Sequence, residues 1–454
     1  MVPLSPERFE MEAPLAATST RTTATPVVRL ELRTRRRIAI ELLPFLFVLY
    51  IVNYVDRTNL AYAALGMTRD LRFNDQELGL AAGIFFISYV ALQIPGALIV
   101  EHWSARRMIA ACMIAWGSLT ALTALVHTPG QLYLLRFVVG AAEAGFFPGV
   151  IVYLSHWFIP GDRAKATSNF MSAIPLSAAL GSPLAGWILG HNWLGVIGWR
   201  WVFIVEGLPA VLLGISAFYF LTDWPREATW LTGEERSSIE ATLKEETPVR
   251  AKAISVRQAL RSRTVLLLAG LTFFDYLVQY SFVFWFPTLL KRRSGFSDLG
   301  VGLVGVLPFM AAFVAMQLNG WHSDRTRERR WHSAIPMFTA AGGLLALLSE
   351  PQSLAIWVLL FTLVALSYSY LPPAWALPTE VLSRSAAATA VGMINAAGSV
   401  AGFVGPYIFG YVNTRTGSVA IALAIVTVAA VLGGSLALCI PRDTHFPTAP
   451  HKVP

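Results

Sequence analysis

The sequence predicts an all-α membrane protein whose twelve transmembrane helices form two pseudo-symmetric six-helix bundles. Three observations lead there. Of 454 residues, 55% are hydrophobic and only 14% charged, with a mean hydropathy of +0.56, outside the range of an average soluble domain. Apolar windows of about 20 residues, each long enough to cross a ~30 Å hydrocarbon layer as a helix, recur along the chain. One long hydrophilic segment, 223–263, divides those windows six and six.

Taken in order, residues 1–37 are rich in Thr, Ala, Pro and Arg and carry neither the apolar core nor the cleavage site of a secretory signal, so they read as a disordered cytoplasmic tail. Helices are expected at 38–64, 78–100, 107–127, 130–155, 166–190 and 200–222, forming an N-terminal bundle over 38–222. The linker 223–263 follows. Its stretch LTGEER opens on Thr232 as a helix cap and predicts one or two amphipathic surface helices. Helices at 264–290, 299–319, 332–349, 353–377, 386–411 and 418–440 make the C-terminal bundle over 264–441, and 442–454 is a second tail.

Orientation follows from the basic residues. With the N-terminus inside, 26 Lys and Arg fall in tails, linker and cytoplasmic loops and seven fall outside, the asymmetry of a multi-pass inner (plasma) membrane protein with both termini cytoplasmic. The net charge of +8 is thereby assigned to basic loops and not to nucleic-acid binding. Cys112 and Cys439 are too few for a disulfide scaffold and read as reduced packing residues near cytoplasmic helix ends.

Charges inside the spans are the functional signal. The stretch YIVNYVDRTNLAYAAL, residues 50–65, places Asp56 and Arg57 deep in the first helix. Each costs ~2.5 to 3.5 kcal/mol at a bilayer centre unless repaid by water, partner charges or substrate. The pair is either a functional site or an internal salt bridge that orients helices. Arg136 and Glu143 lie seven residues apart, on one side of the fourth helix and facing the central cavity, with Gly140 between them. Either they form a buried structural pair, or Glu143 exchanges a proton under the opposed influences of burial and Arg136.

Arginine suits a carboxylate ligand because its planar fork binds bidentately and stays charged. Tyr54, and Tyr89 with Gln93 in the second helix, offer hydroxyl and amide donors; packing is the alternative for each tyrosine. In the seventh helix Asp275 and Gln279 stand at i and i+4. Asp275 is read as binding a substrate amine or hydroxyl, sitting near outer water, or pairing with Arg57; if it faces the cavity, three carboxylates oppose two cations there. Trp375 and Asn395 add a ring and an amide, and Pro372 with Pro373 interrupt the tenth helix as a hinge. Glu206, six residues after Arg200, is expected to close a structural pair with it near the outer face.

The halves resemble each other. GALIVEHWSARR begins at Gly96 and includes Glu101, Arg106 and Arg107; GWHSDRTRERR begins at Gly320 and includes Asp324 and Arg325. A matching pair of small-residue segments starts at Arg163 and Arg384. Duplicated halves imply a central cavity. The two loop motifs and the six-plus-six layout resemble the major facilitator superfamily. NYVDRTNLAYA, SYVALQIPGAL, RFVVGAAEAGFFPG, WRWVFIVEGLPA and FWFPTLL more narrowly resemble its anion:cation symporter family, which includes permeases for tartrate, phthalate, hexonates and hydroxyphenylacetate as well as sialin and the vesicular glutamate transporters. That resemblance implies a proton symporter importing a small organic anion, such as a sugar acid, a tartrate-like dicarboxylate or an aromatic carboxylate, by alternating access. Asp56 and Glu143 are then the titrating pair and Arg57 the carboxylate ligand. Two departures stand out: Ser104 and Arg327 occupy loop positions where the family has glycine, which predicts looser turns.

No phosphate loop, Cys/His metal cluster or nucleophile elbow occurs in the sequence. An ATP-driven pump and an enzyme are set aside, with no metal or cofactor expected and the proton gradient as energy source. The partners expected are the anion, the proton and the bilayer, with the monomer as functional unit. The rival within transport is an exporter of a metabolite or drug.

Overall fold

The computed structural model describes residues 26–245, 261–381 and 384–441, and these form helices, with a single isolated bridge from Trp193 to Val196 as their only β pairing. The N-terminal bundle comprises α1 (Pro26–Asp70), α2 (Asp75–His102), α3 (Ala105–Thr123), α4 (Pro129–Glu143), α5 (Phe146–Trp157), α6 (Pro160–Met171), α7 (Ala173–Leu189) and α8 (Gly198–Phe220). The linker contributes α9 (Gly233–Glu245). The C-terminal bundle comprises α10 (Arg263–Ser294), α11 (Asp298–Thr326), α12 (Arg330–Leu347), α13 (Leu354–Ala365), α14 (Leu371–Val381), α15 (Arg384–Thr416) and α16 (Val419–Cys439).

Twelve spans result because three are broken. The fourth is α4 then α5, parted at Ala144 and Gly145; the fifth is α6 then α7, parted at Ser172. The tenth runs from α13 through a 3-10 turn, Leu366–Tyr370, into α14. Pro372 and Pro373 therefore open α14, where a missing N–H is tolerated, and the break precedes them. At the fourth break a Cβ on Gly96 would lie 3.0 Å from the Gly145 Cα, so any larger residue would push α2 back by a few tenths of an ångström.

Helix α1 begins at Pro26, so residues 26–37 are helical and not part of a disordered tail; residues 1–25 lie outside the described residues, as do 442–454. Side-chain ties explain the extension. Arg35 grips Asp162 through two hydrogen bonds of 2.7 and 2.9 Å, and Arg37 donates to Glu235 of α9 at 2.8 Å. Helix α9 opens on the expected cap: the Glu235 N–H donates to Thr232 Oγ1 while the Thr232 N–H donates to Glu235 Oε2. Trp157 stacks on Trp230 and His156 on Trp224, which fixes the linker's start to the N-terminal bundle. Residues 246–260 lie outside the described residues.

The bundles meet tightly on the side away from the linker. Here α2 packs on α15 and α7 on α11, and backbones touch: a Cβ on Gly83 would lie 2.8 Å from the Phe403 carbonyl, and one on Gly186 would lie 2.6 Å from that of Asp298. Two ion pairs cross the boundary beside these contacts. Arg69 reaches Asp298 at 2.7 Å, and Arg292 grips Asp75 with two bonds of 2.5 and 2.7 Å. Asn413 also donates to Asp75, at 2.5 Å.

Candidate functional site

The first helix turns two faces to two environments. Asn53, Asp56 and Asn59, spaced by three, face the interior of the N-terminal bundle and are all buried. Asp56 accepts from the Thr120 hydroxyl of α3 at 2.9 Å and from the Asn59 amide at 2.7 Å. Arg57, on the adjoining face, looks between the bundles. Its Nε and terminal nitrogen both approach Glu143 Oε1 at 2.5 Å. The guanidinium stands over the rings of Tyr89, Tyr54 and Phe85 at 4.8, 5.0 and 5.5 Å, cation–π positions that help hold a desolvated charge.

Glu143 thus pairs across helices with Arg57 instead of with Arg136, two turns away on its own helix. Arg136 stands over Phe85 at 4.9 Å, and its Nε has no hydrogen-bond partner among the described residues. Both arginines line a cavity between the bundles, whose opposite wall is Tyr280, Phe284 and Tyr368 of the C-terminal half. A second cavity, toward the linker side, shares Tyr54, Arg57 and Tyr280 with the first and adds Tyr89, Trp375 and Asn395. Arg57 is the charged side chain common to both.

Five of the expected ligands therefore converge, Tyr54, Arg57, Tyr89, Trp375 and Asn395, with Arg136 beside them. Three do not. Gln93 is half-buried on α2 and lines neither cavity. Asp275 and Gln279 bond to each other, Nε2 to Oδ2 at 2.5 Å, and both are buried within the C-terminal bundle behind the cavity wall. Asp275 does not meet Arg57, so among the described residues the cavities are lined by two arginines, with Glu143 paired to Arg57 and Asp56 buried behind it. Arg200 pairs with Asp70 at 4.0 Å and donates to the Ala124 carbonyl, leaving Glu206 apart from it. Thr120, which holds Asp56, and Phe85, which underlies both arginines, carry no signal in the sequence beyond being a hydroxyl and a ring in apolar helices.

The loop motifs flank the site on the linker side. Ser104 has extended backbone and caps α3, while its hydroxyl donates to Asp223 Oδ2 at 2.5 Å. The Arg106 N–H donates to Asp223 Oδ1 at 2.9 Å; Arg107 is exposed, and the Glu101 side chain lies outside the described residues. The looser turn expected from a serine at this position is not seen, because the Ser104 hydroxyl ties the turn to α3 and to Asp223. In the second motif Gly320 packs on Pro372, Asp324 pairs with Arg329 at 2.6 Å and Arg325 stands over Trp321 at 5.6 Å. Arg327 adopts the left-handed backbone, φ 53°, so the tight turn is kept without a glycine.

Comparison with known proteins accords with this architecture. The sequence profile described as Major Facilitator Superfamily matches residues 46–406. A protein of Agrobacterium vitis, provisionally named a tartrate transporter, is 40% identical over 91% of this chain and 93% of its own length. A quinolone resistance transporter of Acinetobacter baumannii is 32% identical over 88% of this chain and 92% of its own. Among solved structures, a D-xylose-proton symporter superposes with a TM-score of 0.71 at 17% identity, covering 88% of this chain and 97% of that one, a likeness of fold. With a profile match across both bundles and relatives that are transporters and not enzymes, the chain belongs to the major facilitator superfamily, among the permeases of anion:cation symporter type.

Proposed function

We propose that the protein is a proton-coupled importer of a small organic anion that works by alternating access, with tartrate-like carboxylates as the leading substrate class. The observation that carries this reading is the 2.5 Å contact between Arg57 and Glu143 at the junction of the two cavities. A carboxylate already occupies the cation that a substrate carboxylate would need. Protonating Glu143 removes its charge and frees the Arg57 fork, so proton and anion bind together. Loss of the proton on the other side restores the internal pair and expels the anion. The basic linker and loops make the linker side cytoplasmic. The tightly closed far side then faces outward, and the conformation is inward-facing.

Arg136 supplies a second positive charge for a dicarboxylate. The 40% identical relative named for tartrate supports that choice. The quinolone resistance relative favours a rival reading, outward transport of a drug; two arginines at one cavity fit an anion better.

Proteoliposomes test the reading. With labelled tartrate outside, an acidic exterior should drive uphill uptake in the wild type. Glu143→Gln, which mimics the protonated acid, should abolish uphill uptake yet keep exchange between preloaded vesicles. Uphill accumulation by Glu143→Gln at the wild-type rate would remove Glu143 from the coupling step.

A further inference from the structure

Asp56 lines neither cavity and is only 3% exposed, so the space that admits the anion offers it no open route for a proton. On its other side lies the interior of the N-terminal bundle, where a second carboxylate is buried. Glu206 of α8 is also 3% exposed, and among the described residues neither of its oxygens has a hydrogen-bond partner. An ionised carboxylate in that state would carry the full desolvation cost of a charge, so this burial favours the neutral acid, which holds a proton.

The packing of α8 sets its height. Near the far side Trp199 lies against Gly66, and its ring N–H donates to Asp70 at 3.0 Å. Glu206 follows Trp199 by seven residues, ~10 Å along the helix. The same step down α1 from Gly66 arrives at Asn59, whose amide donates to Asp56 and whose Oδ1 is itself without a partner. Next to Glu206, Gly207 packs on Gly117 and on Thr120, the residue whose hydroxyl donates to Asp56. Glu206, Asn59, Thr120 and Asp56 thus form a descending polar seam between α1, α3 and α8.

The other titratable groups near this seam are few. Helix α1 brings Asp56 and Tyr62 within electrostatic reach of Glu206. Helix α3 brings Trp116 and Thr120 at this height, its Arg106, Arg107 and Cys112 lying two or more turns away, and α7 has no titratable side chain. Arg136 and Glu143 of α4 reach Asp56 at the seam's lower end, and among the described residues no cation reaches Glu206.

We propose that Glu206 is a proton-carrying residue that loads Asp56 from the far side through the interior of the N-terminal bundle, along a path separate from the anion's cavity. The proton leaves the Glu206 carboxyl for the Asp56 carboxylate, and Glu206 is reprotonated from the far side, so each transfer conserves charge. This rests on the proton-coupled reading above. It adds a donor to that reading and divides the routes of the two substrates.

Two measurements test it. In purified wild-type protein at neutral pH, infrared carbonyl absorption of buried carboxylic acid should be present and should lose one component in Glu206→Gln. A spectrum unchanged by the substitution overturns the proposal whatever the protein carries. In proteoliposomes with tartrate as probe, uphill uptake should fall by about tenfold or more in Glu206→Gln, a barrier increase of ~1.4 kcal/mol, while gradient-free exchange keeps its wild-type rate. Glu206→Asp, which retains the acid, should recover uphill uptake. Undiminished uphill uptake in Glu206→Gln overturns this proposal and leaves proton symport standing, and equal loss of exchange in both variants makes Glu206 structural and also overturns it. Wild-type tartrate uptake indifferent to the proton gradient overturns symport itself, and this proposal with it.

Discussion

Asp75 and Asp298 stand 223 residues apart at the first turns of pseudo-equivalent helices, and each is held by an arginine from the opposite bundle. The arginines, Arg69 and Arg292, are likewise 223 apart and sit in the last turns of the preceding helices. The two halves thus exchange corresponding clasps across the closed side, two-bonded at Asp75 and single-bonded at Asp298. Acid at a helix start and base at a helix end also suit the helix dipoles.

Breaking the clasps should open that side. Arg69 and Arg292 are 58% and 44% exposed, so each pair is discounted for screening to ~0.2 to 1 kcal/mol, a few-fold in population. Asp75→Asn and Asp298→Asn together should therefore raise the open population by roughly tenfold. Pulsed electron resonance between spin labels at Arg72 and Arg415 measures it; an unchanged distance distribution in the double variant would show that helix packing alone keeps the side shut.

Arg57→Lys keeps the charge but loses the fork. Anion binding should weaken by ~1.5 to 3 kcal/mol, the worth of a hydrogen bond to a charged group. Calorimetry with tartrate checks this, and equal affinity in both forms would mean that Arg57 serves only to hold Glu143.

Arg327 supplies the opposite case, a residue whose replacement should help. A left-handed backbone costs a non-glycine residue roughly 1 to 2 kcal/mol, part of which glycine returns through its freer unfolded chain. Arg327→Gly should stabilise the protein by about 1 kcal/mol or less, seen as a higher unfolding temperature. A lower one would show that the arginine side chain contributes more than the strain removes.

Acid should loosen the linker helix. The Thr232 N–H, with help from Arg37 and against the effect of burial, holds the Glu235 carboxyl below the usual carboxylate range. A depressed value means that the tie contributes above the ordinary glutamate pKa and is lost as pH falls through the lower, folded value. A spin label at Lys244 should gain mobility over that acid range in the wild type, and already at neutral pH in Glu235→Gln. Mobility independent of both would mean that the tryptophan stacking at Trp230 fixes the helix alone.

The spans were legible because a membrane helix needs a long apolar window whatever it packs against. The breaks within them were less so: Pro372 and Pro373 mark the tenth span, yet the chain bends before them, because proline is at home at a helix start. Spacing set Arg136 and Glu143 on one face of one span but could not show that Arg57, 86 residues earlier, would take the carboxylate. The same limit applies to Asp275, whose i+4 partner Gln279 was readable but whose burial behind the cavity wall depends on how α10 is rotated. The helical start at Pro26 was missed because ties to Asp162 and Glu235, far off in sequence, hold it.

Asp56, Arg57, Arg136 and Glu143 all belong to one bundle, and the other meets the two arginines that line the cavity with aromatic rings. Membrane voltage does work only on net charge moved, ~2.3 kcal/mol per elementary charge per 100 mV. Release of the protons in the proposed cycle leaves two cations and two carboxylates, which sum to zero, so the empty carrier reorients without crossing an electrical step. On the proposed cycle the resting potential then acts only on the loaded form, and the current drawn equals the charge of the bound protons less that of the anion.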